Sequence, residues 1–344
     1  MIEIVTFHKT ANYGALLQSL SLKEFVEENT SQNVKMCSYH PKMLTHAEFY
    51  RPLITKKIKK FIQILKKNIE IYFWYKEAFK EKVANEKKVL TIYGSDEIWN
   101  FQNSYHGYDP YYFGKKNFAP KISYAASIGR SSFVEADEYI KDEMKKYLKQ
   151  FQSIAVRDTN TKNFIRELTS VDPTIVVDPT LIHTPKILNE QKFIKLRVNQ
   201  KYLVVYGTVF SKKQKELILN FSKEKNLMVI SVGYYNSWID KNYLGLNPTN
   251  FIDIIKNSFY VFTSMFHGVM FSIKYSKQFY LSVDPIRKNK LEDIIKNLNL
   301  SSRIFNEKIN FQNIDYEKLY KDLDPLIKHS QKILINSINK VIKN

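Results

Sequence analysis

The sequence contains a single cysteine, Cys37, which excludes a disulfide framework and a cysteine-based metal cluster. Glycine is scarce, with 9 in 344 residues. Neither G-x-x-x-x-G-K-[ST] nor G-x-G-x-x-G occurs, so both standard glycine-rich phosphate loops are excluded. No uncharged apolar run reaches the roughly 18 residues expected of a transmembrane helix. The first residues, Met1 to Phe7, lack the positive start and small-residue cleavage site of a signal peptide and read as a strand. Acidic side chains are outnumbered, 34 against 53 Lys and Arg, for a net charge of +19. These absences predict a cytoplasmic protein with anionic partners, namely nucleic acid, lipid headgroups or phosphorylated substrates.

Alternating elements fill most of the chain. Strand-like runs occur at 89–93, 122–126, 153–156, 174–177, 202–206, 227–232 and 260–263. Helical periodicity lies between them, as in Gly14 to Glu28, Lys212 to Lys225 and His267 to Tyr275. This alternation predicts parallel sheets covered on both faces, an α/β fold. The proline-rich stretch from Leu168 to Pro185 reads as a join, giving an N-terminal Rossmann-like domain over 1–172 and a C-terminal one over 173–344. The helical pattern from Tyr316 to Ile342 is long enough to cross back to the first domain. A lysine-rich helical insertion at about 51–88 carries an apolar stripe through Ile58, Phe61, Ile62, Leu65, Ile69, Phe73 and Trp74. The plainer reading packs that stripe on the domain. The sharper one places the segment against anionic membrane, a peripheral contact at the inner face of the cell membrane.

In open α/β sheets ligands bind beyond the carboxyl ends of strands, so residues just after strands are the candidates. Lys9, Asn12 and Tyr13 follow the first strand, where Gly14 opens a helix whose free N–H groups favour anions. Ser95, Asp96 and Trp99 follow another. Asp96 suits general acid or base work and Trp99 suits a sugar ring, while an N-cap and a core tryptophan are the plain alternatives. Arg157 offers a planar fork to phosphate or carboxylate, or forms a structural ion pair. Ser264, His267 and Gly268 open an apolar helix, where a histidine is either catalytic or structural. Arg287 follows a further strand and offers a second anion contact or a surface charge.

Taken together, these segments resemble the polysaccharide pyruvyl transferase family. The matching pieces are T-F-H-x-x-x-N-Y-G-A-x-L-Q, G-S-D-x-I-W-N, I-S-Y-A-A-S-I-G, A-V-R-D, V-V-D-P-T-L and F-H-G-V-x-F-S, with R-x-x-x-L-x-x-I-x-x-L-x-L-x-x-R running from Arg287 to Arg303. The resemblance implies two Rossmann-like domains in a glycosyltransferase-B-like arrangement with an interdomain cleft. It implies phosphoenolpyruvate as donor substrate and a sugar of a cell-surface polysaccharide such as capsule or exopolysaccharide, free or lipid-linked, as acceptor. His267 matches the family's histidine and Arg157 one of its arginines. Met265 stands where some relatives carry arginine, so either another cation, such as Arg287 or Lys9, compensates or the donor differs.

Ketal formation needs cations for two anions, a proton donor and a proton acceptor. The expected roles are His267 and Asp96 in catalysis. Arg157, Arg287, Ser264, Gly268 and Lys9 are expected on the donor, and Asn12, Tyr13, Ser95 and Trp99 on the acceptor. No cofactor and no metal enter this scheme. A glycosyltransferase using a nucleotide sugar is the rival enzyme, supported by the D-x-D at Asp322 and Asp324 and by Glu216 and Glu224. A non-enzymatic nucleic-acid or membrane-binding protein rests on charge alone. No nucleic-acid recognition motif stands out, so no nucleic acid is expected.

Overall fold

The computed structural model describes residues 1–80, 86–190, 198–283, 289–306, 308–309 and 312–343. It has two parallel sheets flanked by helices. The first contains β1 (Ile2–Val5), β2 (Val34–Met36), β3 (Leu90–Tyr93), β4 (Lys121–Ala126), β5 (Phe151–Val156) and β6 (Thr174–Ile175), in the order β2-β1-β3-β4-β5-β6. The second contains β7 (Tyr202–Tyr206), β8 (Met228–Val232), β9 (Lys241–Tyr243), β10 (Tyr260–Thr263) and β11 (Gln278–Leu281), in the order β11-β10-β7-β8-β9. Central strands such as β3, β4 and β7 are buried at every position. That is why they read as continuous apolar runs rather than alternating ones.

The helices are α1 (Tyr13–Asn29), α2 (Lys42–Thr45), α3 (Ile58–Ala78), α4 (Glu138–Leu148), α5 (Thr159–Thr169), α6 (Pro179–Ile182), α7 (Lys212–Glu224), α8 (Pro248–Asn257), α9 (Phe266–Lys274), α10 (Asn289–Asn297) and α11 (Tyr316–Ile342). Side-chain caps start several of them where strands end. Asn12 caps α1, Asp158 caps α5 and Asp178 caps α6, each accepting a backbone N–H of the first turn. Helix α1 is buried almost all round because it lies between the halves, against α6 and α8. Helix α11 crosses back to the first sheet, and Ser330 Oγ accepts the Val177 N–H at 3.0 Å.

Two sequence expectations shift. The short strand after Pro173 pairs with β5, Ala155 opposite Thr174, so the first sheet extends past the expected join at 172/173. The prolines mark a bend inside that domain's edge rather than its end. The apolar stripe of the insertion does not pack as expected. Helix α3 buries Ile64, Ile71 and Trp74, and leaves Ile58, Phe61, Ile62, Leu65, Ile69 and Phe73 exposed. The helix has two apolar faces, and only one is covered by protein.

Candidate functional site

Four side chains from after four different strands meet in one chain of charges. Arg157, just past β5, has its Nη1 3.4 Å from Asp96 Oδ1 and 3.6 Å from Asp178 Oδ2. Asp178, just past β6, has Oδ2 3.7 Å from His267 Nε2 at the start of α9. Asp96, His267 and Arg157, named from sequence, therefore come together, and Asp178 is the link that sequence reasoning did not assign. The D-P-T of V-V-D-P-T-L signals an N-cap, and Asp178 Oδ1 does accept the Thr180 N–H at 3.0 Å and its hydroxyl at 2.7 Å. Its other oxygen turns to the charged groups.

Burial pushes the Asp178 carboxyl up, but the neighbouring His267 imidazole and its charge, the charge of Arg157 and the Thr180 bond outweigh it, holding it at about 2. Asp178 Oδ2, His267 Nε2 and Arg157 Nε are all buried without a hydrogen-bond partner. Unmet polar capacity is uncommon in a core and clusters where groups act on something else. Gly14 seals the other side, since its Cα hydrogen faces the His267 ring and an added Cβ would lie 2.6 Å from the His267 Cβ. The Arg157 guanidinium stacks 4.3 Å from the Phe266 ring centre, and Glu97 Oε1 lies 3.9 Å from its Nη2. Three carboxylates thus share one guanidinium. Arg157 is already paired, which matches the structural ion pair that the sequence left open beside a donor contact.

Other expected site residues are elsewhere. Trp99 is fully buried, donates to the Tyr112 carbonyl at 2.9 Å and stacks near Phe113, so it is core and not a sugar platform. The Ser95 hydroxyl is buried against the Gln18 side chain, and Tyr13 donates its hydroxyl to the Leu246 carbonyl at 2.8 Å while stacking on Phe251. Neither has a free polar atom for an acceptor. Lys9 is exposed and reaches the Ser38 carbonyl at 3.4 Å, away from the charge chain. Ser264 Oγ accepts the Val209 N–H at 3.3 Å, and Gly268 lets α9 approach Thr263, whose Cβ lies 2.8 Å from where a Gly268 Cβ would sit. Both positions are packing and turn residues of the second sheet. Met265 precedes α9 without a side-chain cap bond. Arg287 lies outside the described residues.

Asn12 does face a cavity. Its side chain accepts the Gly14 N–H at 3.0 Å and lines an interdomain pocket of about 380 Å³. Lys60 and Lys67 contribute from the insertion, Glu48 from just before it, and Thr208 and Tyr234 from the loops after β7 and β8. Lys67 Nζ sits 4.5 Å from the Tyr13 ring centre, and burial pulls its ammonium down from 10.5 to about 8 against the opposing charge of Glu48. Glu48 itself accepts the Ala11 N–H at 2.9 Å, and burial raises its carboxyl. Lys60 and Lys67 belong to the lysine-rich insertion, and a lysine run offers no signal for which member turns inward. The insertion straps both halves, with the Leu244 N–H donating to Gln63 at 3.0 Å and Trp74 to Thr249 at 2.9 Å.

The decoys stay outside. Asp322 and Asp324 are exposed on α11, and Glu216 and Glu224 are exposed on α7. Glu24, Glu28 and His183 hold ligand-type atoms within 4.8 Å of one another. Lys186 completes that group as an ion-pair network, its Nζ 2.8 Å from Glu28 Oε1 and its N–H 2.9 Å from Glu24 Oε2.

Solved structures share the fold. The UDP-GlcNAc 2-epimerase of Neisseria meningitidis, bound to UDP-GlcNAc, superimposes with a TM-score of 0.50 at 11% identity, over 98% of this chain and 99% of that one. The putative UDP-N-acetylglucosamine 2-epimerase of Listeria monocytogenes gives 0.49 at 11% identity, over 98% and 91%. The glycosyltransferase SnogD of Streptomyces nogalater gives 0.40 at 7% identity, over 100% and 99%. At such identity the likeness to the Neisseria epimerase is one of architecture alone, two Rossmann-like domains. No curated protein matches the sequence. The sequence model of the polysaccharide pyruvyl transferases matches residues 12–284, which takes in Asp96, Arg157, Asp178 and His267, and the chain belongs to that family of transferases.

Proposed function

We propose that the chain transfers a pyruvate ketal from phosphoenolpyruvate to two hydroxyls of a sugar in a cell-surface polysaccharide or its precursor. Family membership supports the reaction class. The observation that carries the site is the buried Asp178–His267–Arg157 cluster with unmet hydrogen-bonding capacity, lying beyond the carboxyl ends of strands in both halves.

In this reading His267 delivers a proton to the methylene carbon while one sugar hydroxyl adds to the neighbouring carbon. Asp178 orients the imidazole and stabilises its charged form. Asp96 takes the hydroxyl proton. The second hydroxyl then displaces phosphate, which leaves carrying that hydroxyl's proton. Arg157 holds the carboxylates in place rather than the donor, and Lys67, with Lys60 beside it, is the cation for a phosphate-bearing substrate in the interdomain pocket. Asn12 and Gly14 join the two regions, one lining the pocket and the other lying on His267.

The test incubates purified protein with phosphoenolpyruvate and a panel of sugar nucleotides and lipid-linked sugars. Phosphate release that depends on acceptor, with a ketal-sized mass gain on it, is expected. His267→Gln should abolish both. Transfer of sugar from a nucleotide donor without phosphoenolpyruvate would replace this reading with a glycosyltransferase.

A further inference from the structure

Helix α3 presents an uncovered apolar face on the outside of the molecule. Ile58 is 76% exposed, Ile62 57% and Phe73 63%, and Leu65, Ile69 and Tyr72 stand exposed beside them. At 3.6 residues per turn these six fall within an arc of roughly 100–120° along the whole helix. The opposite face carries Ile64, Ile71 and Trp74 into the protein. Ile54, 80% exposed, extends the patch before the helix begins. A continuous strip of large apolar side chains in water marks a surface that another apolar phase covers.

The charges around the strip identify that phase. Between residues 54 and 80 there are eight lysines and two glutamates. Lys59 and Lys66 flank one edge of the strip, both exposed, and Lys76 rises within it over the Tyr72 ring, with its amine 4.6 Å from the ring centre. Two copies of this face brought together would oppose lysine with lysine. An apolar face rimmed by cations fits an anionic bilayer, where the side chains enter the acyl boundary and the ammonium groups meet headgroup phosphates. Among the described residues no helix is long and apolar enough to cross a membrane, so such contact is interfacial.

We infer that α3 is an in-plane membrane anchor for anionic lipid. Its inner face walls the interdomain pocket through Lys60, Ile64 and Lys67, so the lipid surface and the pocket are two sides of one helix. An acceptor carried on a lipid would reach the pocket around that helix. This last link rests on the proposed transfer reaction, whereas the docking itself does not.

The full chain is sedimented with phosphatidylcholine vesicles, with and without phosphatidylglycerol. Binding to the anionic vesicles only, weakening as salt rises, is expected. Ile58→Ser with Ile62→Ser and Phe73→Ser should lower that binding at least tenfold with an unchanged melting temperature. Lys59→Gln and Lys66→Gln should each lower it about fivefold, the contribution of one lysine near such a surface. Failure of the wild-type chain to bind anionic vesicles would overturn the inference, as would equal binding to neutral ones. A concentration-dependent dimer that the triple serine variant converts to monomer would overturn it in favour of a second copy of the chain. Ketal transfer to a soluble acceptor is measured in parallel. Vesicle binding without transfer sinks the reaction and leaves the anchor standing, and the reverse result does the opposite.

Discussion

Gly14 and His267 lie in face-to-face contact across the two halves of the molecule, with the imidazole resting where any side chain at position 14 would have to go. The first helical turn of α1 therefore acts as the floor under the histidine. Gly14→Ala must either push the ring away or open the interface. Overpacking of this kind costs about 1–3 kcal/mol. A displaced imidazole loses its alignment with Asp178, so turnover should drop by at least about a hundredfold, the lower range for a general acid. Melting temperature and turnover measured together check this. An alanine variant with wild-type turnover would remove His267 from the chemistry.

Asp178 carries the shared negative charge between Arg157 and His267. Asp178→Asn preserves shape and the Thr180 bonds but removes that charge. Breaking a buried charge cluster from one side typically destabilises by about 3–5 kcal/mol. The pH dependence follows from the direction of the shift. Because the folded carboxyl is held at about 2 rather than 3.8, its stabilisation is complete above the higher value and disappears as pH falls towards the lower one. Acid unfolding followed from pH 5 to 2 should be shallower in the asparagine variant. Superimposable curves would show that the charge contributes nothing.

The strands were legible because parallel sheets buried on both faces leave continuous apolar runs, as in Tyr202–Tyr206. The rule that function follows strand ends pointed to Asp96, Arg157 and His267, which the structure brings together. It also swept in Ser95, Trp99 and Tyr13, because residues after a strand include those that turn back into the core. Asp178 was masked by its second job as a helix cap. For the insertion the sequence left two readings open, since helical periodicity shows that an apolar face exists but not which of two faces meets protein. Lys67 was hidden for a related reason: its neighbours Lys59 and Lys66 have the same composition and differ only in direction.

Trp99 distinguishes core from sugar platform cleanly. Fully buried, bonded to the Tyr112 carbonyl and near Phe113 and Phe151, it belongs to the packing of the first domain. Trp99→Ala should destabilise by about 3–5 kcal/mol. The folded fraction that remains should keep the wild-type KM for acceptor. Denaturant titration with kinetics normalised to folded protein checks both. A raised KM at wild-type stability would restore the stacking role.

Lys67 gives the last prediction. An ammonium that is pulled down to about 8 by burial stays charged at neutral pH but loses its proton within the working range of an enzyme. Only the charged form attracts a phosphate-bearing ligand, so affinity should be level from pH 7 to 8. Above that it should fall by up to about tenfold per pH unit. Lys67→Arg keeps a cation at every accessible pH and should move the break out of range. Lys67→Met should bind weakly and show no break. The folded protein disfavours this charge, so removing it should not cost stability, and the methionine variant is expected to melt no lower than wild type. Titration of phosphoenolpyruvate and of a sugar diphosphate at each pH identifies which substrate feels the lysine. If neither affinity changes between pH 7 and 10 in the wild-type chain, Lys67 is only a strut between Glu48 and Tyr13, and the substrate cation lies elsewhere.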